Sequence, residues 1–185
     1  MPKAGDVIEN PAMGARIVFI ETAEETNGEL LRFDFFVRPQ TVVLHEHLHP
    51  VQEERFEVVS GRMDGVVDGD PHVAEAGTVI VNKPGTPHAW WNAGDEEAHL
   101  VVEFRPALKT ATLFETSFAL AQQGKVRGSG LPKNPLQLAV IYDEYKNETS
   151  AAKPYQRLAM TILAPIGRAC GFRAQYPYSR PGDAS

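Results

Sequence analysis

One cysteine in 185 residues, Cys170, leaves no partner for an internal disulfide and suits a reducing compartment. It follows a helical run and precedes Gly171, a placement expected to bury it as an inert side chain. Long apolar runs are also missing. None reaches the ~18 residues that span a bilayer, and the longest, Leu158 to Phe172, is broken by Pro165 and Arg168. The first ten residues hold Lys3, Asp6 and Glu9 and no apolar stretch, which is not the pattern of a secretory signal. The expected location is therefore cytoplasmic, with no membrane partner. Basic clusters are absent: 18 Lys and Arg stand against 24 Asp and Glu, a net charge of −6, so nucleic acid is not an expected partner. Internal repeats and low-complexity tracts are missing as well.

What is present is ordinary globular composition, 43 % apolar and 23 % charged, at a length that fits one domain or one domain with an appendage. The pattern changes near residue 107. Before it, short runs rich in Val, Ile and Phe alternate with Gly, Pro, Asn and Asp, as in an antiparallel β-barrel or sandwich. Strands are expected at Ala15–Thr22, Leu30–Arg38, Val42–Leu48, Glu54–Ser60, Arg62–Val67, Thr78–Asn82, His88–Asn92 and Ala98–Arg105. Ser60-Gly61 and Asp68-Gly69-Asp70-Pro71 read as turns, the second carrying His72. After residue 107 the period lengthens to that of helices. One spans Leu113 to Ala121, ending near Gly124. A second opens at Asn134-Pro135, an N-cap followed by proline at the first helical position, and runs to about Lys146. A third opens at Lys153-Pro154, with Leu158, Ile162, Leu163 and Ile166 on its apolar face and Pro165 expected to kink or end it. The expected division is a β-barrel over 1–106 and a helical extension over 107–185, packing on the barrel or on a second subunit.

The chemistry concentrates in two stretches. In His45-Glu46-His47-Leu48-His49-Pro50, alternate side chains of a strand share a face, so His47 and His49 point together. A strand returning through Glu53 and Glu54 brings a carboxylate beside them. The second stretch, from Gly77 to Asn92, is a strand, a Lys83-Pro84-Gly85 turn and a new strand opening on His88. Imidazoles and a carboxylate converging from separate strands make a site for one divalent first-row metal ion, with Fe, Mn, Ni, Co, Cu and Zn all compatible.

These stretches resemble the two motifs of the cupin superfamily. The first is His-x-His, four residues, Glu, six residues, Gly, and His47, His49, Glu54 and Gly61 stand at every position. The second is matched by Gly77, Gly85, His88 and Asn92. Two positions depart: Thr41 stands where a glycine usually opens the first motif, and Lys83 replaces the first proline of the second. Both shape backbone and leave the ligands intact. The resemblance implies a mainly β, jelly-roll barrel with the helical extension seen in a group of bacterial single-cupin proteins. It also implies that His47, His49, Glu54 and His88 hold the metal, and that Glu54 rather than Glu53 is the ligand.

A register in which His45 and His47 form the pair stays open, as does a role for His45 on the substrate side. Trp90 and Phe56 are expected on the same interior face, as core or as substrate-binding walls. His72 and His99 carry no ligand spacing and are expected to be structural or solvated. The resemblance implies a small-molecule enzyme, with dioxygenase-like oxidation of a phenolic or diketone-like substrate first and metal-assisted isomerisation or cyclisation second. In that reading Glu54 also moves a proton. The alternatives are a metal-dependent binding module without turnover and a structural domain. A homodimer is the expected assembly, and a lid over the barrel mouth is an alternative place for the helices.

Overall fold

Period-2 alternation governs the first hundred residues. In the computed structural model, which describes residues 2–179, strand β3 (Leu31–Val37) buries Leu31, Phe33, Phe35 and Val37 and turns the residues between them outward. The same alternation recurs in β2 (Ala15–Glu21) and β10 (Ala98–Arg105). With β1 (Val7–Asn10), β5 (Glu53–Ser60) and β8 (Val79–Asn82) they form a six-stranded sheet in the order β1-β2-β3-β10-β5-β8. A five-stranded sheet, β11-β4-β9-β6-β7, contains β4 (Thr41–Leu48), β6 (Arg62–Val67), β7 (Asp70–Glu75), β9 (His88–Asn92) and β11 (Ser150–Ala151). The paired strands are antiparallel, and the two inner faces enclose one apolar core. The mainly β, double-sheet jelly-roll architecture expected from the sequence is the one observed.

Three strands lie outside the sequence expectation. β1 is only four residues long and β11 only two, so neither carries a pattern of its own. In β7 the turn is Asp68-Gly69 alone, both residues with positive φ, and Asp70 pairs with Val67 and Pro71 with Val66. Proline is tolerated there because β7 is an edge strand, with a ladder on one side only. His72 thus sits in a strand rather than a turn, and is exposed.

The helices are α1 (Thr110–Gln122), α2 (Pro135–Glu144) and α3 (Pro154–Ala169). Asn134 caps α2, its Oδ1 accepting the Leu136 N–H at 2.8 Å. Pro165 neither ends nor stops α3, which runs four residues further. Proline at 165 leaves the Thr161 carbonyl without its helical N–H partner, at a residue that is exposed. The face of α3 that packs is made of Ala164 and Gly167, while Leu158, Ile162 and Ile166 point outward. Cys170, expected to be buried, is exposed just past the end of α3.

α1 sits directly on the barrel: Phe114 meets Phe33 edge-on at 5.3 Å and Phe104 at 6.3 Å, within one cluster that includes Phe118. Gln52, fully buried, ties the barrel to the start of α1 by donating to the Pro106 and Ala107 carbonyls and to Thr110 Oγ1. Tyr178 returns the chain to β1, its hydroxyl accepting the Glu9 N–H at 2.8 Å. Met1 and residues 180–185, the outer ends of the two expected segments, lie outside the described residues. Among the described residues no helix is long and apolar enough to cross a membrane.

Candidate metal centre

The two sheets bring the histidines together from different parts of the chain. His47 on β4 lies directly opposite His88 on β9. His49 follows the end of β4, and Glu54 comes from β5 in the other sheet. The ring centroids of His47 and His88 are 4.4 Å apart, those of His47 and His49 4.9 Å, and those of His49 and His88 5.2 Å. One ligand nitrogen from each histidine can be chosen so that all three lie within 4.8 Å of one another, and all three side chains are buried. Glu54 Oε2 stands 3.1 Å from His88 Nε2 and 3.8 Å from His49 Nε2.

A backbone carbonyl faces the Nδ1 of every ring. His47 Nδ1 reaches the His45 carbonyl at 2.9 Å, His88 Nδ1 the Thr86 carbonyl at 2.9 Å, and His49 Nδ1 the Glu148 carbonyl. A carbonyl oxygen only accepts, so each neutral ring carries its proton on Nδ1 and leaves a lone pair on Nε2. The Nε2 atoms of His49 and His88 are buried with no aligned hydrogen-bond partner. This is the outer-shell arrangement that prepares imidazoles to bind a metal.

Electrostatics agree. Burial, helped by the neighbouring His49 and His88, lowers the His47 pKa to about 3, so the ring stays neutral. Burial also lowers His49. Burial pushes Glu54 upward, but the imidazoles of His88, His49 and His47 outweigh it and hold the carboxyl well below the usual range. Burial opposes charging of His88, and Glu54 beside it overcomes this and raises its pKa. Glu54, half-buried, is therefore an anion on a wall that holds no Lys or Arg among the described residues. Its counter-charge comes from a proton on His88 or from a bound cation. Asn82 Nδ2 donates to Glu54 Oε2 at 2.8 Å and fixes that oxygen. The donor set of three neutral imidazoles and a carboxylate fits a divalent first-row ion.

The remaining sequence candidates separate cleanly. Phe56 and Trp90 are buried, meet edge-on at 5.0 Å and line the central cavity. His45 does not line it; its side chain is exposed, and only its carbonyl serves the site, on His47. The cause is irregular pairing between β4 and β9. One extra residue falls between Leu44 and His47, which breaks the alternation that would have put His45 on the face of His47. His99 is on the outer surface, stacked on Phe36 at 4.4 Å and paired with Asp34 at 2.7 Å.

Two of the motif's backbone residues explain themselves. Gly61 has φ +82° in the β5–β6 turn, and a Cβ there would lie 2.8 Å from Ala98 Cα. Asn92, fully buried, donates to the Val37 and Glu96 carbonyls and accepts the Gly94 N–H, pinning the turn before β10. Gly65, which belongs to neither motif, makes room for Trp90: a Cβ there would be 2.3 Å from the indole. Gly65→Ala is expected to displace Trp90 and destabilise the protein by about 1–3 kcal/mol. Thermal unfolding with the tryptophan emission spectrum checks this; an unmoved spectrum and transition would contradict it.

Several contributors were not marked by the sequence. Asn82 had a readable signal, a polar residue on the inward side of an otherwise apolar strand. Glu148 had none. It lies 99 residues from His49 and meets it only because β11 adds to the edge of β4, pairing Ala151 with His47. Residues of α1 and α2, Phe114, Leu138 and Tyr142 among them, line the cavity beside the histidines. Helices α1 and α2 thus contribute side chains to the wall of the cavity.

Residues 33–104 match the family model described as "Cupin domain". Polyketide synthase CurC of Streptomyces cyaneus is 35 % identical over 63 residues, 34 % of this chain and 41 % of that protein. The match thus spans about two fifths of that relative's length. An RmlC-like cupin of Shewanella frigidimarina superposes with a TM-score of 0.48 at 22 % identity, covering 56 % of this chain and 86 % of its own. A predicted oxalate decarboxylase of Thermotoga maritima superposes with a TM-score of 0.49 at 17 % identity, covering 55 % and 90 %.

Proposed function

The chain belongs to the cupin superfamily, and from that premise we propose that it is a metal-dependent enzyme acting on a small molecule inside the barrel. The observation that carries this reading is the convergence of three buried imidazoles whose Nδ1 atoms all face carbonyls, next to a half-buried carboxylate. His47, His49, His88 and Glu54 would hold the ion. A bound Fe, Mn, Ni, Co, Cu or Zn supplies Lewis acidity at the cavity wall and, if redox-active, electron transfer with dioxygen as co-substrate.

The chain's own groups do the rest. Phe56 and Trp90 form an apolar wall that keeps water from the reacting face. Glu54 lies on the cavity with a carboxylate oxygen set by Asn82, where it can take a proton from a substrate hydroxyl or an acidic C–H and return it. These features suit dioxygenase-like oxidation of a phenolic or diketone-like substrate, or isomerisation or cyclisation through an enolate. A binding module without turnover is the second reading, supported by the cover of α1 and α2. The apolar stripe of Tyr155, Leu158, Ile162 and Ile166 along α3 supports a homodimer.

Elemental analysis of the purified protein should find one divalent first-row ion per chain. Asn82→Ala should weaken ion binding by about 10–100-fold, as loss of an outer-shell partner typically does. Oxygen uptake by the iron-loaded protein with phenols and diketones separates the readings. Turnover supports the enzyme, and retained ligand without product supports the binding module. An ion-free protein that takes up no metal on titration would sink both.

A further inference from the structure

We infer that helices α1 and α2 act as a size and charge filter over the barrel, admitting a ligand of about one ring whose body carries no charge. This rests on the proposed reading only in taking the cavity as a ligand site; the filter itself needs no metal.

The cavity is about 170 Å³, close to the ~150 Å³ apolar cavity that accommodates benzene and below the usual size of drug-like sites. Its sides are held in the sheets by Phe33, Phe56 and Trp90, which cannot retreat without disturbing strand packing. Its cover comes from outside the barrel: Phe114 and Ser117 on α1, and Leu138 and Tyr142 on α2. The dimension that limits the ligand is therefore set by the extension. Charge is restricted as sharply. Apart from the histidines, the wall carries the carboxyl groups of Glu54 and Glu148, and no Lys or Arg lines the cavity among the described residues. A phosphate, sulfonate or second carboxylate on the ligand's body would be buried without a cationic partner.

The test uses the full-length, metal-free protein and three probes: phenol, 2-naphthol and 4-hydroxybenzenesulfonate, with binding read by calorimetry. A non-specific apolar surface prefers the larger, more apolar naphthol, so the filter predicts a reversed order. Phenol should bind at least tenfold more tightly than either of the others. Leu138→Ala, which opens the cover, should reduce the phenol-over-naphthol preference at least threefold. Ser117→Phe, which fills the space, should reduce phenol binding at least tenfold, and a cooperative melt confirms that each variant is folded. Naphthol or the sulfonate binding within threefold of phenol overturns the inference. So does no phenol binding, or a folded Leu138→Ala variant with an unchanged preference.

Zinc titration in parallel keeps the two claims apart. Selective binding of phenol by a protein that takes up no zinc leaves the filter standing and removes the metal reading. Stoichiometric zinc uptake with indifferent ring size does the reverse.

Discussion

Replacing His47 and His88 together with alanine abolishes stoichiometric uptake of a divalent ion. The pair supplies two of the three imidazoles, facing each other across the β4–β9 ladder. What remains, His49 and Glu54, is too few ligands to compete with water for a first-row ion. The fold is under separate control, because the apolar core is built from other residues of both sheets. The double variant does leave the half-buried Glu54 carboxylate without His88 beside it, a loss that costs up to about 3–5 kcal/mol, the value for breaking a fully buried pair. His47→Ala alone keeps the Glu54–His88 pair at 3.1 Å. It should show most of the loss in ion affinity with little loss of stability. Ion content and a binding titration, with circular dichroism alongside, check both variants. Undiminished uptake by the folded double variant would mean that the ion sits elsewhere.

Phe33→Ala lowers stability by about 3–5 kcal/mol, the range for deleting a buried aromatic ring. For a protein of this length that is a fall in Tm of roughly 6–20 °C. Phe33 is 1 % exposed and contacts four other rings: Phe19, Phe35 and Phe104 at 6.2 Å, and Phe114 at 5.3 Å. The last of these joins α1 to the barrel, so the substitution loosens the extension as well as the core. Val73→Thr on the edge strand β7, where the side chain is 54 % exposed, is the control and should change stability by less than about 0.5 kcal/mol. Equal melting temperatures for the two variants would show that α1 and the barrel are not held together by this ring cluster.

The legible parts of the molecule were those written in local periodicity. Strand β3 announces itself by Leu31, Phe33, Phe35 and Val37 at every second position, and α2 by Asn134-Pro135. The His-x-His spacing announces a shared face, and the distance to Gly61 in the motif favours Glu54 over Glu53. The structure places Glu54, and not Glu53, on the cavity wall beside His49 and His88.

Other features were hidden for identifiable reasons. His45 followed the same alternation on paper, but the irregular pairing of β4 with β9 broke the period. The apolar stripe of α3 suggested a packed face. Close approach of α2 is instead achieved through Gly167, where a Cβ would lie 2.6 Å from Val140, and the large side chains are left outside. Cys170, expected to be buried from its place between a helical run and Gly171, is exposed.

By itself the sequence determined the barrel and the identity of the side chains that converge at the candidate metal centre, because alternation along a strand and spacing within a motif are properties of neighbours. Only the tertiary structure decided which carbonyls orient those imidazoles, that β11 extends the sheet beside His47, and that α1 and α2 cover the cavity. Those contacts join residues up to about a hundred positions apart, and a strand of two residues has no pattern until its partner is in place.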